Sequence, residues 1–352
     1  MSLLYFNGFD FLTTALIQDQ ATSYISYGYS TTTRYSYGGS VYNTATASGS
    51  MHVAYEFTDT GSNYLIFGVA FRWSISSNLY NWGVAFYNSE GSQCHIAPTE
   101  DTGQIQLRIG LSGTLIDESD LDVWIDAQWY YLEGKLSCTN SSDYEIRLDG
   151  ETIMSGSGVD LQAQSSAGAS IVYLYGGYGN SGNARYDDLY VCDDQGSNNN
   201  NFLGEVIVRT LLPSGAGTYT QWTPLSGSNY ENVDEESPDE DTTYNETGVL
   251  DNQDSFAMGD LPDSGVAIHG VKTRAIANKE GAGFRAMKNF VIVNSSKYNE
   301  DKNTLHIDYA VQDGSIIEQN PDDSQDWEVA DIDAMEVGVQ LAAVQTTTTT
   351  TV

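Results

Sequence analysis

Short segments in which apolar and polar residues alternate recur through the first 190 positions, and this period of two limits the chain to strands. Residues 64–73 (YLIFGVAFRW), 82–87, 104–109, 129–136, 144–148, 152–154, 171–175 and 184–191 each fit a strand. No helical period is sustained beyond about two turns. Asp149-Gly150 sits between two alternating runs and marks a tight hairpin, because such a turn needs residues tolerant of positive φ. The 24 Tyr favour strands and the 34 Gly favour the turns between them. Short strands at fairly regular spacing indicate a sandwich or jelly roll.

The pattern breaks in a polar run at 193–201 (DDQGSNNNN). This divides the chain into a first domain at 1–195, a polar linker at 196–203, a second β-sandwich domain at 204–345 and a Thr-rich tail at 346–352. Strand candidates in the second domain are 204–211, 265–274, 284–293, 305–309 and 334–341. The tail reads as a frayed end or as an arm that orders against a neighbouring subunit.

The formal net charge is −34, from 14 basic and 48 acidic side chains. Such a surface repels nucleic acid, whose binding depends on cations neutralising phosphates, and it repels anionic lipid headgroups. Nucleic acid is therefore excluded as a partner. No stretch approaches the roughly 20 apolar residues of a membrane span, so membrane insertion is not expected. The first 20 residues lack the basic start and apolar run of a signal peptide. Cys94, Cys138 and Cys192 have no CxxC spacing, so they read as buried or free thiols, with a Cys94–Cys138 bridge as the alternative.

Three stretches resemble the concanavalin A-like, laminin-G-type jelly roll: 4–10 (LYFNGFD) as a first strand, 129–135 with 144–150 as a central hairpin, and 186–191 (YDDLYV) as a closing strand. The tract 202–209 (FLGEVIVR), with 221–224 and 232–235, is similar to virion structural proteins of tailed bacteriophages. The fold implied is all-β, a concanavalin A-like jelly-roll sandwich followed by a second β-sandwich. The resemblance implies a non-enzymatic component of the virion exterior, a capsid decoration or an accessory tail or fibre protein. It would dock on other virion proteins as a homo-oligomer, for instance a trimer, be assembled in the host cytoplasm and be released by lysis. A glycan-binding adhesin that recognises host surface polysaccharide is the alternative.

No catalytic constellation is visible. Glycosidases need two carboxylates flanking the sugar bond, whereas Asp117, Glu118, Asp120 and Asp122 lie among turn residues and Asp187-Asp188 reads as a pair of solvated acids. His52, His95, His269 and His306 are scattered without partner spacing. No G-x-S-x-G, P-loop or H-E-x-x-H motif occurs. No cofactor is expected beyond calcium, the cation that acidic loops suit. Its candidate ligands are Asp234, Glu235, Asp239 and Asp241, with Asp322, Asp323 and Asp326. Tyr24, Tyr27, Tyr29, Tyr35, Tyr37, Tyr175 and Tyr178 are candidates for contact with glycan or a protomer, since Tyr offers a flat apolar face and a hydroxyl at low entropy cost, with packing inside an ordinary Tyr-rich sheet as the other reading.

Overall fold

A computed structural model describes the chain except residues 1, 36–37, 44–49, 59–60, 62–63, 76–81, 100–101, 112, 179–181 and 345–352. Two compact units divide it, Met1–Thr210 and Leu211–Val352. Both are built of strands, and the all-β class holds.

The first unit is a jelly-roll sandwich of an eight-stranded and a seven-stranded sheet. Its interior follows the period of two. Phe67, Val69, Phe71 and Trp73 of the Leu65–Ile75 strand point inward from the larger sheet. They meet Val84 and Phe86 of Trp82–Asn88 and Val172 and Leu174 of Ile171–Tyr178. Phe67 and Phe86 touch across the gap with centroids 4.9 Å apart. Each fully buried ring or branched side chain contributes about 1.5–3 kcal/mol. A polar bolt also joins the sheets. Trp73 Nε1 donates to the Tyr186 hydroxyl at 2.9 Å, and that hydroxyl lies 2.6 Å from the Tyr175 carbonyl oxygen in the opposite sheet. The Asp149-Gly150 turn forms as the sequence implies, with φ of 47° and 83° and with Leu148 paired to Glu151.

The segment 204–211 is not a strand. Its apolar alternation satisfies the outer face of the eight-stranded sheet instead, and its amides donate to side chains rather than to a neighbouring strand. Gly204 N–H donates to Glu133 Oε1 at 2.9 Å, Val208 N–H to Asp188 Oδ1 at 2.8 Å, and Leu203 N–H to the Tyr190 hydroxyl at 3.2 Å. The Phe202 ring lies under Arg147, 4.0 Å from its guanidinium carbon. Residues 202–210 therefore strap the first unit, and the second unit begins at Leu211 rather than at 204.

The second unit is built on a five-stranded antiparallel sheet with two two-stranded ribbons. Val291, Val293, Trp327, Ile332 and Met335 form its core. Of the strands expected here, 284–293 appears as Arg285–Val293 and 334–341 as Glu336–Val344, after a short helix Val329–Ala334. The expected 265–274 strand makes only isolated bridges at Ile268 and Val271 before the Arg274–Ala277 strand, and 305–309 is irregular. Among the described residues, no helix is long and apolar enough to cross a membrane.

Candidate functional site

Residues that alternate with the core of the seven-stranded sheet fall on its outer face, and there they converge. In this sheet Ile171–Tyr178 lies between Trp82–Asn88 and Ser50–Glu56, with Tyr175 opposite His52 and Tyr173 opposite both Ala54 and Ala85. Tyr173 is half-buried, and its ring centroid is 4.1 Å from that of Tyr87 and 5.0 Å from that of His52. Tyr175 stacks beside Tyr173 at 5.5 Å. The result is a file of rings, Tyr87–Tyr173–His52, crossing three strands, with the small side chains of Ala54 and Ala85 beside it.

Hydrogen bonds fix this file. Tyr87 and Tyr175 share a hydroxyl–hydroxyl contact of 2.8 Å, and Ser23 Oγ lies 2.9 Å from His52 Nε2. Burial pushes the Tyr175 hydroxyl, and to a lesser degree that of Tyr87, above the ordinary tyrosine range, so both keep their protons near neutral pH. One strand further on, His95 Nε2 lies 2.6 Å from the Trp82 carbonyl oxygen, to which it donates. Burial lowers the His95 pKa to about 4, which leaves the ring neutral. Arg108, opposite His95, is held by Gln106 Oε1 and the Gly113 carbonyl. The face thus offers flat rings, hydroxyl donors and acceptors, and the imidazole of His52 bonded to Ser23.

A second constellation lies under the strap. Asp10, Asp187 and Asp188 line a small cavity with Tyr35, Ile207, Val208 and Arg209. The reading of Asp187-Asp188 as solvated acids is corrected, since the two are 5% and 3% exposed. Burial is the leading cause that raises Asp10 to about 7, Asp188 to about 6 and Asp187 well above the usual carboxylate range. The Arg34 guanidinium answers this charge, at 3.3 Å from Asp188 Oδ2 and also paired with Glu205. The cluster fastens the strap to the closing strand.

The tyrosines singled out by sequence do not act as one group. Tyr24 is exposed on the Ser23–Ile25 edge strand, Tyr27 is buried, and Tyr29 is half-buried on Tyr27–Ser30. Tyr35 donates to Glu205 of the strap at 2.6 Å. Tyr37 lies outside the described residues, as does the Tyr178 side chain. Of those described, only Tyr175 joins the file of rings. The acidic loops are drawn into contacts with the chain's own donors. The Thr243 hydroxyl bonds Glu235 and Asp239, and Tyr309 donates to Asp241. Asn294 and Tyr298 donate to Asp322, the Gln325 amide to Asp323, and Gln319 to Asp326. Asp234 is exposed at the start of the first of these loops. Among the described residues, no group of three or more His, Cys, Asp or Glu is arranged to hold a metal ion. The three cysteines are buried and form no disulfide with one another, with the Cys94 and Cys138 sulfurs 3.8 Å apart.

No protein-family model matches the chain, and no curated protein matches it in sequence. Solved structures do resemble about half of the chain. One is an endo-β-1,4-glucuronan lyase from the fungus Trichoderma reesei, at 12% identity and TM-score 0.36, covering 49% of this chain and 90% of the lyase. Another is the alginate lyase vAL-1 from Chlorella virus, at 9% and 0.34, covering 46% and 87%. A third is a GH43 protein from Bacillus licheniformis, at 13% and 0.33, covering 50% and 38%. These neighbours overturn the expectation of a non-enzymatic structural component of a phage particle, since they include polysaccharide lyases and carry no link to a virion. At such scores the likeness assigns no role to any residue here.

Proposed function

We propose that the first unit is a carbohydrate-active domain that receives a polysaccharide chain across the Tyr87–Tyr173–His52 file. The observation that carries this reading is the file itself, in which the half-buried rings of Tyr87 and Tyr173 reach the outer face of the sheet, backed by the buried His52 and Tyr175 and fixed by hydroxyl contacts. Rings of this kind take the C–H face of a sugar, while their hydroxyls and Ser23 pair with sugar hydroxyls. His52, oriented by Ser23, is the group there best placed to give or take a proton from a bound chain.

The test is native-gel retardation of the whole chain by a panel of soluble polysaccharides, with each polymer's chain length followed in parallel. Retardation or shortening by at least one polymer is expected. Tyr173→Ala is expected to weaken that interaction by about 2 kcal/mol, roughly thirtyfold, in a chain that still unfolds cooperatively. An unchanged interaction in Tyr173→Ala would remove the file from the site, and silence across the panel would remove the reading.

A further inference from the structure

The charges of the first unit are sorted between its two sheets, and this sorting selects among glycans. Residues 1–210 contain seven basic side chains, Arg34, Arg72, Arg108, Lys135, Arg147, Arg185 and Arg209, against 23 acidic ones. Arg72, Lys135, Arg147 and Arg185 all stand on strands of the eight-stranded sheet. Their places in the register alternate with those of the inward-facing Phe71, Trp73 and Tyr186, which puts Arg72, Lys135 and Arg185 on that sheet's outer side. Arg34 and Arg209 belong to the acid cluster under the strap.

Arg108 alone stands on the seven-stranded sheet, and its guanidinium is already taken up by Gln106 and Gly113. Glu56, exposed opposite Ile171, and Glu118, bonded to Gln106, supply negative charge to the same sheet. His95 is held neutral by burial. A uronate chain would bring one carboxylate per sugar onto this face. Each would lose hydration without gaining a lysine or an uncommitted arginine as partner, inside the field of a chain of net charge −34. An uncharged chain meets no such penalty and still finds rings and hydroxyls.

We infer that the Tyr87–Tyr173–His52 face takes an uncharged glycan and discriminates against uronate polymers. The inference rests on the carbohydrate reading above and narrows its substrate class. It departs from the glucuronan and alginate lyases among the structural neighbours, whose named polymers are polyuronates.

The experiment compares polymers that differ only in charge. Glucuronan and alginate are each run against the whole chain beside their carboxyl-reduced derivatives, together with neutral glucans, xylans and mannans, at low and high salt. The expected result is interaction with at least one neutral polymer that salt does not alter, and at least about tenfold weaker interaction with its carboxylated counterpart or with the uronates at low salt. Preference for the uronates, or equal interaction with both members of a pair, overturns the inference and leaves the carbohydrate reading standing. If no polymer of either kind interacts, the carbohydrate reading itself falls.

Discussion

Replacing Arg34 with alanine is expected to destabilise the first unit by about 3–5 kcal/mol and to release residues 202–209 to proteolysis. The Arg34 and Asp188 side chains taken alone are 6% and 4% exposed. It also accounts for the Val206 carbonyl at 3.3 Å, and it lies between the rings of Tyr35 and Tyr131, 4.7 and 4.8 Å from their centroids. Removing it leaves Asp188 charged beside Asp10 and Asp187 with only Arg209 nearby. Arg34→Lys restores the charge but not the planar fork that reaches several acceptors, so an intermediate loss is expected. Thermal unfolding with limited proteolysis reads both effects. A loss under about 1 kcal/mol with unchanged cleavage would show that the strap is held by other contacts.

The same cluster gives the unit an unusual response to pH. Asp10, raised from 3.8 to about 7 mainly by burial, holds its proton in the folded chain where the unfolded chain has released it. Its contribution is therefore fully present below about pH 4 and is lost as pH rises toward 7, the reverse of a carboxylate stabilised by an ion pair. A rise of this size corresponds to roughly 4 kcal/mol. Asp10→Asn mimics the protonated form and keeps an acceptor for the Gly39 amide, which Asp10 meets at 3.0 Å. The variant is expected to match the parent near pH 4 and to exceed it in stability at pH 8. Asp188, Asp187, Arg34, Arg209 and Glu205 also bear on this cluster, so the difference between the two proteins across pH isolates Asp10. Parallel stability curves would contradict the assignment.

The strands were legible where burial on one face imposes alternation, as in Leu65–Ile75, and where a turn demands special residues, as at Asp149-Gly150. The segment at 204–211 carries the same alternation, yet it lies flat on a finished sheet. Period alone reports one apolar side and not what satisfies the backbone. Asp187 and Asp188 were misread for a related reason, because the strap that covers them returns from 20 positions downstream. The candidate site was hidden by topology. His52 and Tyr173 are far apart in sequence, and they meet only because Ile171–Tyr178 pairs between Ser50–Glu56 and Trp82–Asn88. Composition singles out the Tyr-rich stretch at 24–37, while among its described residues Tyr27 fills a core position, Tyr24 lies on an edge strand and Tyr35 bonds the strap.

The most direct measurement is hydrogen–deuterium exchange of the whole chain with and without a saturating neutral oligosaccharide drawn from the polymer that retards it. Protection is expected in peptides covering Ser50–Glu56, Trp82–Asn88 and Ile171–Tyr178, with the eight-stranded sheet and the second unit unchanged. Protection confined to the second unit or to the eight-stranded sheet would contradict a glycan site on the Tyr87–Tyr173–His52 face.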